Sequence, residues 1–387
     1  MRDVLYLFPQ LSLSPGGIQT VNEDTLQVIA RAWPAARHRV LLYINRTVPR
    51  PPAATGLPPV RLTACGMRSR RLARLRFALA FAMALFPRRP DLVVVGHVDL
   101  APLAWMAKMV FGTPYVVWAH GTDVWGLRQP LRLASLAAAD RVAAVSRYTA
   151  ESLHGIAPGL PERITIIPNA VRDRFRPGNG GAVRRRLGLD DGARVLLTVA
   201  RLRDTERYKG CDTVIRALPR VLRRAPDTRY VIVGEGDGLP RLRALAERLG
   251  VRDAVVFAGA APDAELPAYY NACDLFVMPS AGEGFGIVFI EALACGKPVI
   301  AGDAGGSRDA VLDGGLGRLA EPGDPGRQAR VVVDWLEGRW PPDLTDPARL
   351  RRVCVEHFGS AAFDRRVREL VRGVTAAEPR IVARPAG

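Results

Sequence analysis

The stretch Leu275-Phe-Val-Met-Pro-Ser-Ala-Gly-Glu-Gly-Phe-Gly-Ile-Val-Phe-Ile-Glu-Ala-Leu-Ala-Cys-Gly-Lys-Pro-Val-Ile-Ala301 holds a complete structural unit. Leu275–Met278 reads as a buried strand. A glycine-rich loop follows, a helix opens near Ile287 and runs to Cys295, and Pro298–Ala301 reads as the next strand. Two strands joined through a helix pair in parallel, since an antiparallel pair needs only a short turn. The amides of Gly284, Phe285, Gly286 and Ile287 stand at the helix N-terminus. The first N–H groups of a helix lack intrahelical partners and attract an anion or a hydroxyl oxygen. Glu283 precedes that terminus and Glu291 lies eight residues on. Carboxylates so placed can accept hydrogen bonds from sugar or ribose hydroxyls. Alone, they would read as a helix cap and a solvated surface group; the flanking glycines and apolar neighbours favour the binding reading.

The same alternation runs through the 387 residues. Upstream, strands are expected at Val4–Phe8, Val40–Ile44, Leu92–Val95, Tyr115–Trp118, Arg141–Val145 and Ile164–Ile167. Downstream they are expected at Val195–Val199, Tyr230–Val233 and Val255–Ala258, with helical patterns such as Pro240–Leu249 between them. Repeated βαβ units in a chain of this length imply an α/β fold of two Rossmann-like lobes. Ligands of such sheets bind beyond the carboxyl ends of the strands, so two lobes are expected to present those ends to a central cleft. The turn-rich run Phe175-Arg-Pro-Gly-Asn-Gly-Gly181 is the linker candidate, with lobes at 1–178 and 179–360. Ala361–Val374 reads as a basic helix, and residues 376–387 read as frayed.

Composition narrows the function classes. With 48% hydrophobic and 24% charged residues, the chain reads as globular. The apolar run Phe77–Phe86 is far shorter than the roughly 20 residues that span a bilayer, and no secretory signal is read at the start. Five scattered cysteines without a C-x-x-C pair suggest neither a disulfide framework nor a zinc site; a cytoplasmic protein is expected. The net charge of +17 favours polyanionic partners. It is uneven: Thr25–Pro90 contains no Asp or Glu.

Further loops carry candidate chemistry. In Val199-Ala-Arg-Leu-Arg-Asp-Thr-Glu-Arg-Tyr-Lys-Gly210, Arg201 leaves a strand end and Lys209 precedes the next helix. A fork and a point charge together suit a diphosphate leaving group. Only three of the 55 basic residues are lysines; of these Lys108 and Lys297 show no evident task. Ser14-Pro-Gly-Gly-Ile18 follows the first strand, and its glycines, Gly16 and Gly17, let the backbone approach a phosphate. Trp118-Ala-His-Gly-Thr-Asp123 places His120 at a strand end. Gly234-Glu-Gly-Asp-Gly238 fits a dinucleotide fingerprint poorly. No D-x-D or H-x-x-x-H appears, so no protein-held metal and no cofactor is expected.

These runs, in this order, resemble the GT-B glycosyltransferases of family 4, the "glycosyl transferases group 1" type. The resemblance rests on Glu283 and Glu291 with seven residues between them, and on Gly-Gly-Ile-Gln19, His-Gly-Thr-Asp123, Val145-Ser-Arg-Tyr148, Ile167-Pro-Asn-Ala170, Val199-Ala-Arg-Leu202, Tyr208-Lys-Gly210 and Tyr269-Tyr-Asn-Ala-Cys-Asp274. It implies that Arg201 and Lys209 hold the donor diphosphate and that Glu291 binds the ribose. It also implies that Glu283 and the amides near Phe285 and Gly286 hold the transferred sugar. Gly17 would approach the phosphate or acceptor, His120 the anomeric centre, and Gly259 and Ala260 the base. A C-terminal helix, 361–387, would pack back on the first lobe. The implied activity is metal-independent, retaining transfer of a hexose to a glycan or polyprenyl-linked acceptor. Gly305-Gly-Ser-Arg-Asp-Ala310 departs from the usual Gly-Gly-x-x-Glu. Glu-Arg-Tyr-Lys-Gly210 resembles an exopolysaccharide, α-mannosyltransferase-like subset, which makes GDP-mannose the first donor to consider. A UDP-sugar of glucose, galactose or N-acetylglucosamine stays open, as does a non-catalytic partner subunit. Nucleic acid is not an expected partner, because no helix-turn-helix or RNP element appears.

Arg68–Pro90 admits two readings. One is a core-facing helix with a solvated basic approach. The other is a helix that docks on anionic lipid, making the protein peripheral at the inner face of the plasma membrane.

Overall fold

A strand buried on both faces needs an unbroken apolar run, and Val4-Leu-Tyr-Leu-Phe8, preceded by Asp3, provides one. In the computed structural model, which describes residues 1–11, 16–49, 58–86 and 88–376, these residues form β1 (Asp3–Phe8), buried along its length. By contacts the chain divides into two units. One is Met1–Ile167 together with the residues from Phe363 on; the other is Pro168–Ala362.

The first unit's sheet adds β2 (Arg37–Leu42), β3 (Val60–Ala64), β4 (Leu92–Val95), β5 (Tyr115–Ala119), β6 (Arg141–Ala144) and β7 (Ile164–Ile166). All pair in parallel, in the order β3-β2-β1-β4-β5-β6-β7. The second unit holds β8 (Arg194–Val199), β9 (Thr228–Val233), β10 (Val255–Gly259), β11 (Leu275–Met278), β12 (Val299–Gly302) and β13 (Arg318–Ala320). They too are parallel, in the order β10-β9-β8-β11-β12-β13. Each order reverses direction next to its first strand, which opens a crevice at the carboxyl ends there. In the second unit, Leu196, Tyr230, Ile232, Val277 and Ile300 of the sheet pack with Val214, Leu218, Leu242 and Trp340 from outside it.

Two strands escape the periodicity. β3 and β13 are edge strands, Val-Arg-Leu-Thr-Ala and Arg-Leu-Ala, too short and too charged to stand out. β2 begins at Arg37, earlier than the apolar run suggests. Arg39 lies inside it because its guanidinium meets Asp3 of β1 at 2.7 Å. The turn-rich run 175–181 is not a linker but part of the second unit: Phe175 is buried against Tyr270, and the amide of Gly178 donates to Asn271 Oδ1 at 2.8 Å. The helix Ser360–Thr375 forms where a basic helix is expected; residues 377–387, expected to fray, lie outside the described residues.

The two lysines without an evident task have one. Lys108 donates to the Ala138 carbonyl and to Asp140, and Lys297 donates to the carbonyls of Asn271 and Cys273. Both satisfy carbonyls at a helix C-terminus, where a cation complements the helix dipole. All five cysteines are buried and free.

The helix Arg70–Ala84 buries Ala73, Phe77, Ala80 and Phe81. Its other face leaves Leu72, Leu75, Leu79 and Met83 at 51–70% exposure. Phe86, also exposed, meets Phe111 edge-on at 5.7 Å, and the helix Ala101–Phe111 exposes Met106, Met109 and Val110. Arg68, Arg70, Arg71, Arg74, Arg76, Arg88 and Arg89, on this helix or next to it in the chain, are all exposed, and the Arg89 guanidinium lies over the Phe111 ring at 5.0 Å.

Candidate functional site

In the second unit, three loops at the carboxyl ends of β8, β9 and β11 meet because glycine permits it. Gly210 adopts φ 78°, and a side chain there would lie 2.7 Å from the Pro279 carbonyl oxygen. The loop carrying Lys209 thus presses on the loop carrying Glu283, and the amide of Ala281 donates to the Tyr208 carbonyl at 2.8 Å. Gly234 (φ 144°) approaches Ala200 so closely that a Cβ would sit 1.8 Å from its carbonyl oxygen. The Gly234–Gly238 loop is therefore a brace for the Arg201 loop, a role its sequence did not reveal.

The charged groups form a chain. Lys209 Nζ lies 2.9 Å from Glu283 Oε1, and Ser280 Oγ donates to the same oxygen at 3.3 Å. Arg201 lies 2.9 Å from Glu206 Oε1, and Glu206 Oε2 is 3.9 Å from Lys209. Lys209 is mostly buried, whereas Arg201 is 58% exposed. Burial alone would lower the Lys209 ammonium; the charge of Glu283, then Tyr208 and Glu206, outweighs it and raises it, so the group stays cationic.

Past β11 the helix Ile287–Ala294 opens at Gly286, which caps it at φ 92°. A Cβ there would strike the Phe289 ring at 2.5 Å. Phe285 turns inward onto Phe358. The loop after β12 backs the glycine-rich loop: the amide of Gly306 donates to the Glu283 carbonyl at 2.8 Å. Glu291 is half-buried on the helix and accepts from Tyr270 Oη at 2.7 Å. Burial pushes its carboxyl up to about 7, with the Tyr270 hydrogen bond and Arg174 and Arg172 pulling the other way. Gly259 ends β10 at φ 72°, and the amide of Ala260 donates to Glu235 Oε1 at 3.3 Å.

In the first unit, Gly16 and Gly17 open the helix Gly17–Ala32 after β1; Ser14 and Pro15 of that loop lie outside the described residues. His120 follows β5. Its Nε2 donates to the Gly96 carbonyl at 2.9 Å, and its backbone amide donates to Asp123 at 2.9 Å. Burial lowers the imidazole to about 4. It is neutral at neutral pH, with Nδ1 free of a proton. His97, passed over in the sequence because nothing flanks it but Gly96, follows β4 and accepts from the Asp99 amide at 3.2 Å. Burial lowers it, against the pull of Asp123 and Asp99. Among the described residues, no group of three or more His, Cys, Asp or Glu side chains is arranged to hold a metal ion.

Two family models match the chain: Glycosyltransferase Family 4 over residues 16–175 and Glycosyl transferases group 1 over residues 181–352. A GDP-mannose-dependent alpha-(1-6)-phosphatidylinositol monomannoside mannosyltransferase of Mycolicibacterium smegmatis is 39% identical over 64% of this chain and 68% of its own length. A D-inositol 3-phosphate glycosyltransferase of Thermobispora bispora is 33% identical over 73% of this chain and 71% of its own. Its counterpart in Segniliparus rotundus is 34% identical over 68% of this chain, the match spanning only 61% of that protein. Among solved structures, the fold is shared with Anabaena HepE in complex with UDP, at TM-score 0.75 and 23% identity over 96% of this chain and 99% of that one. It is also shared with sucrose-phosphate synthase from Thermosynechococcus elongatus, at TM-score 0.77 and 22% identity over 97% and 100% of the two chains.

Proposed function

This chain belongs to the glycosyl transferases group 1, family 4 glycosyltransferases of GT-B fold, and we propose that it moves a hexose from a nucleotide-diphosphate sugar to a glycan or lipid-linked acceptor, with retention and without metal. The observation that carries the reading is the meeting of Arg201, Lys209 and Glu283 beside the helix that opens at Gly286. Breaking the glycosyl–phosphate bond loads negative charge on the diphosphate while the sugar becomes oxocarbenium-like. Fixed cations act more strongly on that charge in the transition state than in the ground state. Glu283 accepts from sugar hydroxyls and Glu291 from the ribose. Gly284, Phe285, Gly286 and Ile287 bring their backbone to the sugar and phosphate, and Gly259 and Ala260 flank the base. In the first unit, His120 offers Nδ1 as an acceptor for a hydroxyl, and the glycines Gly16 and Gly17 leave room for a phosphate beside their backbone. A departing phosphate oxygen then removes the acceptor's proton on the same face.

GDP-mannose is the first donor, supported by the Mycolicibacterium relative's name and by Glu-Arg-Tyr-Lys-Gly210. Thermal shift against GDP, UDP and ADP tests it: a nucleotide at 100 times its Kd stabilises by about 2.7 kcal/mol. GDP should shift the protein most, and GDP-mannose should be slowly hydrolysed. Binding without turnover of any donor would instead mark a non-catalytic subunit.

The Glu291 carboxyl makes donor binding pH-dependent. Ribose hydroxyls need an ionised acceptor, and this group ionises near pH 7. Nucleotide affinity should therefore rise by up to about tenfold as pH climbs from 6 to 8. Glu291→Gln should weaken binding by about 1.5–3 kcal/mol and flatten the pH profile. A flat profile in the parent protein would remove Glu291 from the ribose.

The first unit's exposed apolar surface supports docking on anionic lipid at the inner face of the plasma membrane. Among the described residues no helix is long and apolar enough to cross a bilayer. Leu75, Leu79, Met83 and Met109 can enter the interface while the nearby arginines each contribute about 1 kcal/mol near an anionic surface. Co-sedimentation should show binding to anionic but not neutral vesicles, weakening with salt and in Arg70→Gln/Arg71→Gln/Arg74→Gln. A protein left in the supernatant with anionic vesicles at low salt would end this reading.

A further inference from the structure

The carboxylate of Glu206 is used by no step of the proposed chemistry, yet it occupies the centre of the charged chain. The turn Asp204–Lys209 departs from helical geometry at Glu206, with φ −112° and ψ 29°. That departure lets the side chain fold under the loop to 10% exposure. Its Oε1 engages Arg201 at 2.9 Å and its Oε2 lies 3.9 Å from Lys209. Oε2 is buried and has no hydrogen-bond partner. Of the other arginines at the rim, Arg241 bridges Asp204 at 2.9 Å and Asp212 at 3.7 Å, and Arg207 lies 3.8 Å from Asp212.

Arg201, Glu206, Lys209 and Glu283 thus alternate in sign and sum to zero formal charge. A diphosphate can take Arg201 and Lys209 only against the attraction of Glu206 for both. We infer that Glu206 is a positioning residue and internal competitor: it holds the two cations at their spacing and limits how tightly a diphosphate is retained, so that the nucleotide product leaves. The inference rests on the assignment of Arg201 and Lys209 to the diphosphate. A residue that merely supports the loop would behave oppositely, since its loss would loosen the cations and weaken the ligand.

The sign of one change decides. Inorganic pyrophosphate and GDP are titrated by calorimetry into the full chain and into Glu206→Gln, which keeps shape and loses charge. Tighter binding of both is expected, by roughly tenfold, the scale of one partly screened charge pair. Product inhibition by GDP should strengthen in parallel. Glu206→Met, a second neutral replacement of similar size, should shift affinity in the same direction, which keeps the question open to test if one variant folds poorly. Equal or weaker pyrophosphate binding in a folded neutral variant overturns the inference. Failure of the underlying assignment looks different: pyrophosphate would not bind the parent protein, or would bind Lys209→Ala equally well.

Discussion

Lys209→Ala should lower turnover by roughly 30- to 1000-fold, the consequence of losing about 2–4 kcal/mol of stabilisation of charge that develops on a leaving group. The magnitude follows from where the ammonium sits. It is mostly buried, 2.9 Å from Glu283, and held cationic by its neighbours. Its charge is therefore poorly screened and needs no rearrangement when the bond breaks. The substitution also leaves Glu206 and Glu283 facing each other without the cation between them, so the melting temperature should fall as well. Far-UV circular dichroism must show the fold retained before the kinetics are read. Lys209→Arg, which keeps the charge but changes its shape, should recover part of the rate. Arg201→Ala should act in the same direction but less, because Arg201 is 58% exposed and water can replace more of it. Near-normal turnover in folded Lys209→Ala would remove the diphosphate role.

Gly306→Ala should be as damaging without touching a charge. Its φ of −71° suits alanine, so the cost is steric alone. A Cβ would lie 2.1 Å from the Gly284 carbonyl oxygen and 2.9 Å from the Phe285 Cα. Both are backbone atoms and cannot rotate away. The glycine-rich loop must move, and a displacement near 1 Å at a reacting centre costs on the order of 100-fold in rate. Overpacking of this kind destabilises by about 1–3 kcal/mol. Gly192→Ala, where a Cβ would meet nothing within 4 Å, is the control and should leave both activity and stability unchanged. A Gly306→Ala protein with normal kcat/KM and normal Tm would show that the loop after β12 does not set the site.

What the sequence disclosed follows a physical line. Buried parallel strands such as β1, β5 and β11 announce themselves, because both faces must be apolar and the run is unbroken. The edge strands β3 and β13 do not, because each is short and carries an arginine, whereas the edge strands β7 and β10 keep a mostly apolar run. The helix opening at Ile287 was legible from the glycines before it. The pairing of Lys209 with Glu283 was not, because it depends on Gly210 pressing against Pro279, a contact between loops 69 residues apart (279 − 210). Glu206 was hidden for a similar reason. In the chain it is one of two acids among the four basic residues of Val199–Gly210, and only its burial between Arg201 and Lys209 distinguishes it. The run 175–181 misled because its turn residues serve a segment that packs within the second unit, and composition alone cannot tell that from a linker.

The discontinuity of the first unit bears on how the chain is made. Residues up to Ile167 leave the ribosome early, but Phe363, Val367, Leu370 and Val371, buried on a helix of that same unit, emerge only after the whole second unit. The second unit is contiguous and has all its strands and core once Ala362 has emerged, so it is free to finish first, reversing the usual order in which the N-terminal domain completes before its successor. Until that helix arrives, the first unit waits with an apolar face uncovered. Nascent chains stalled before Phe363 are therefore the species most exposed to chaperones and proteases during synthesis.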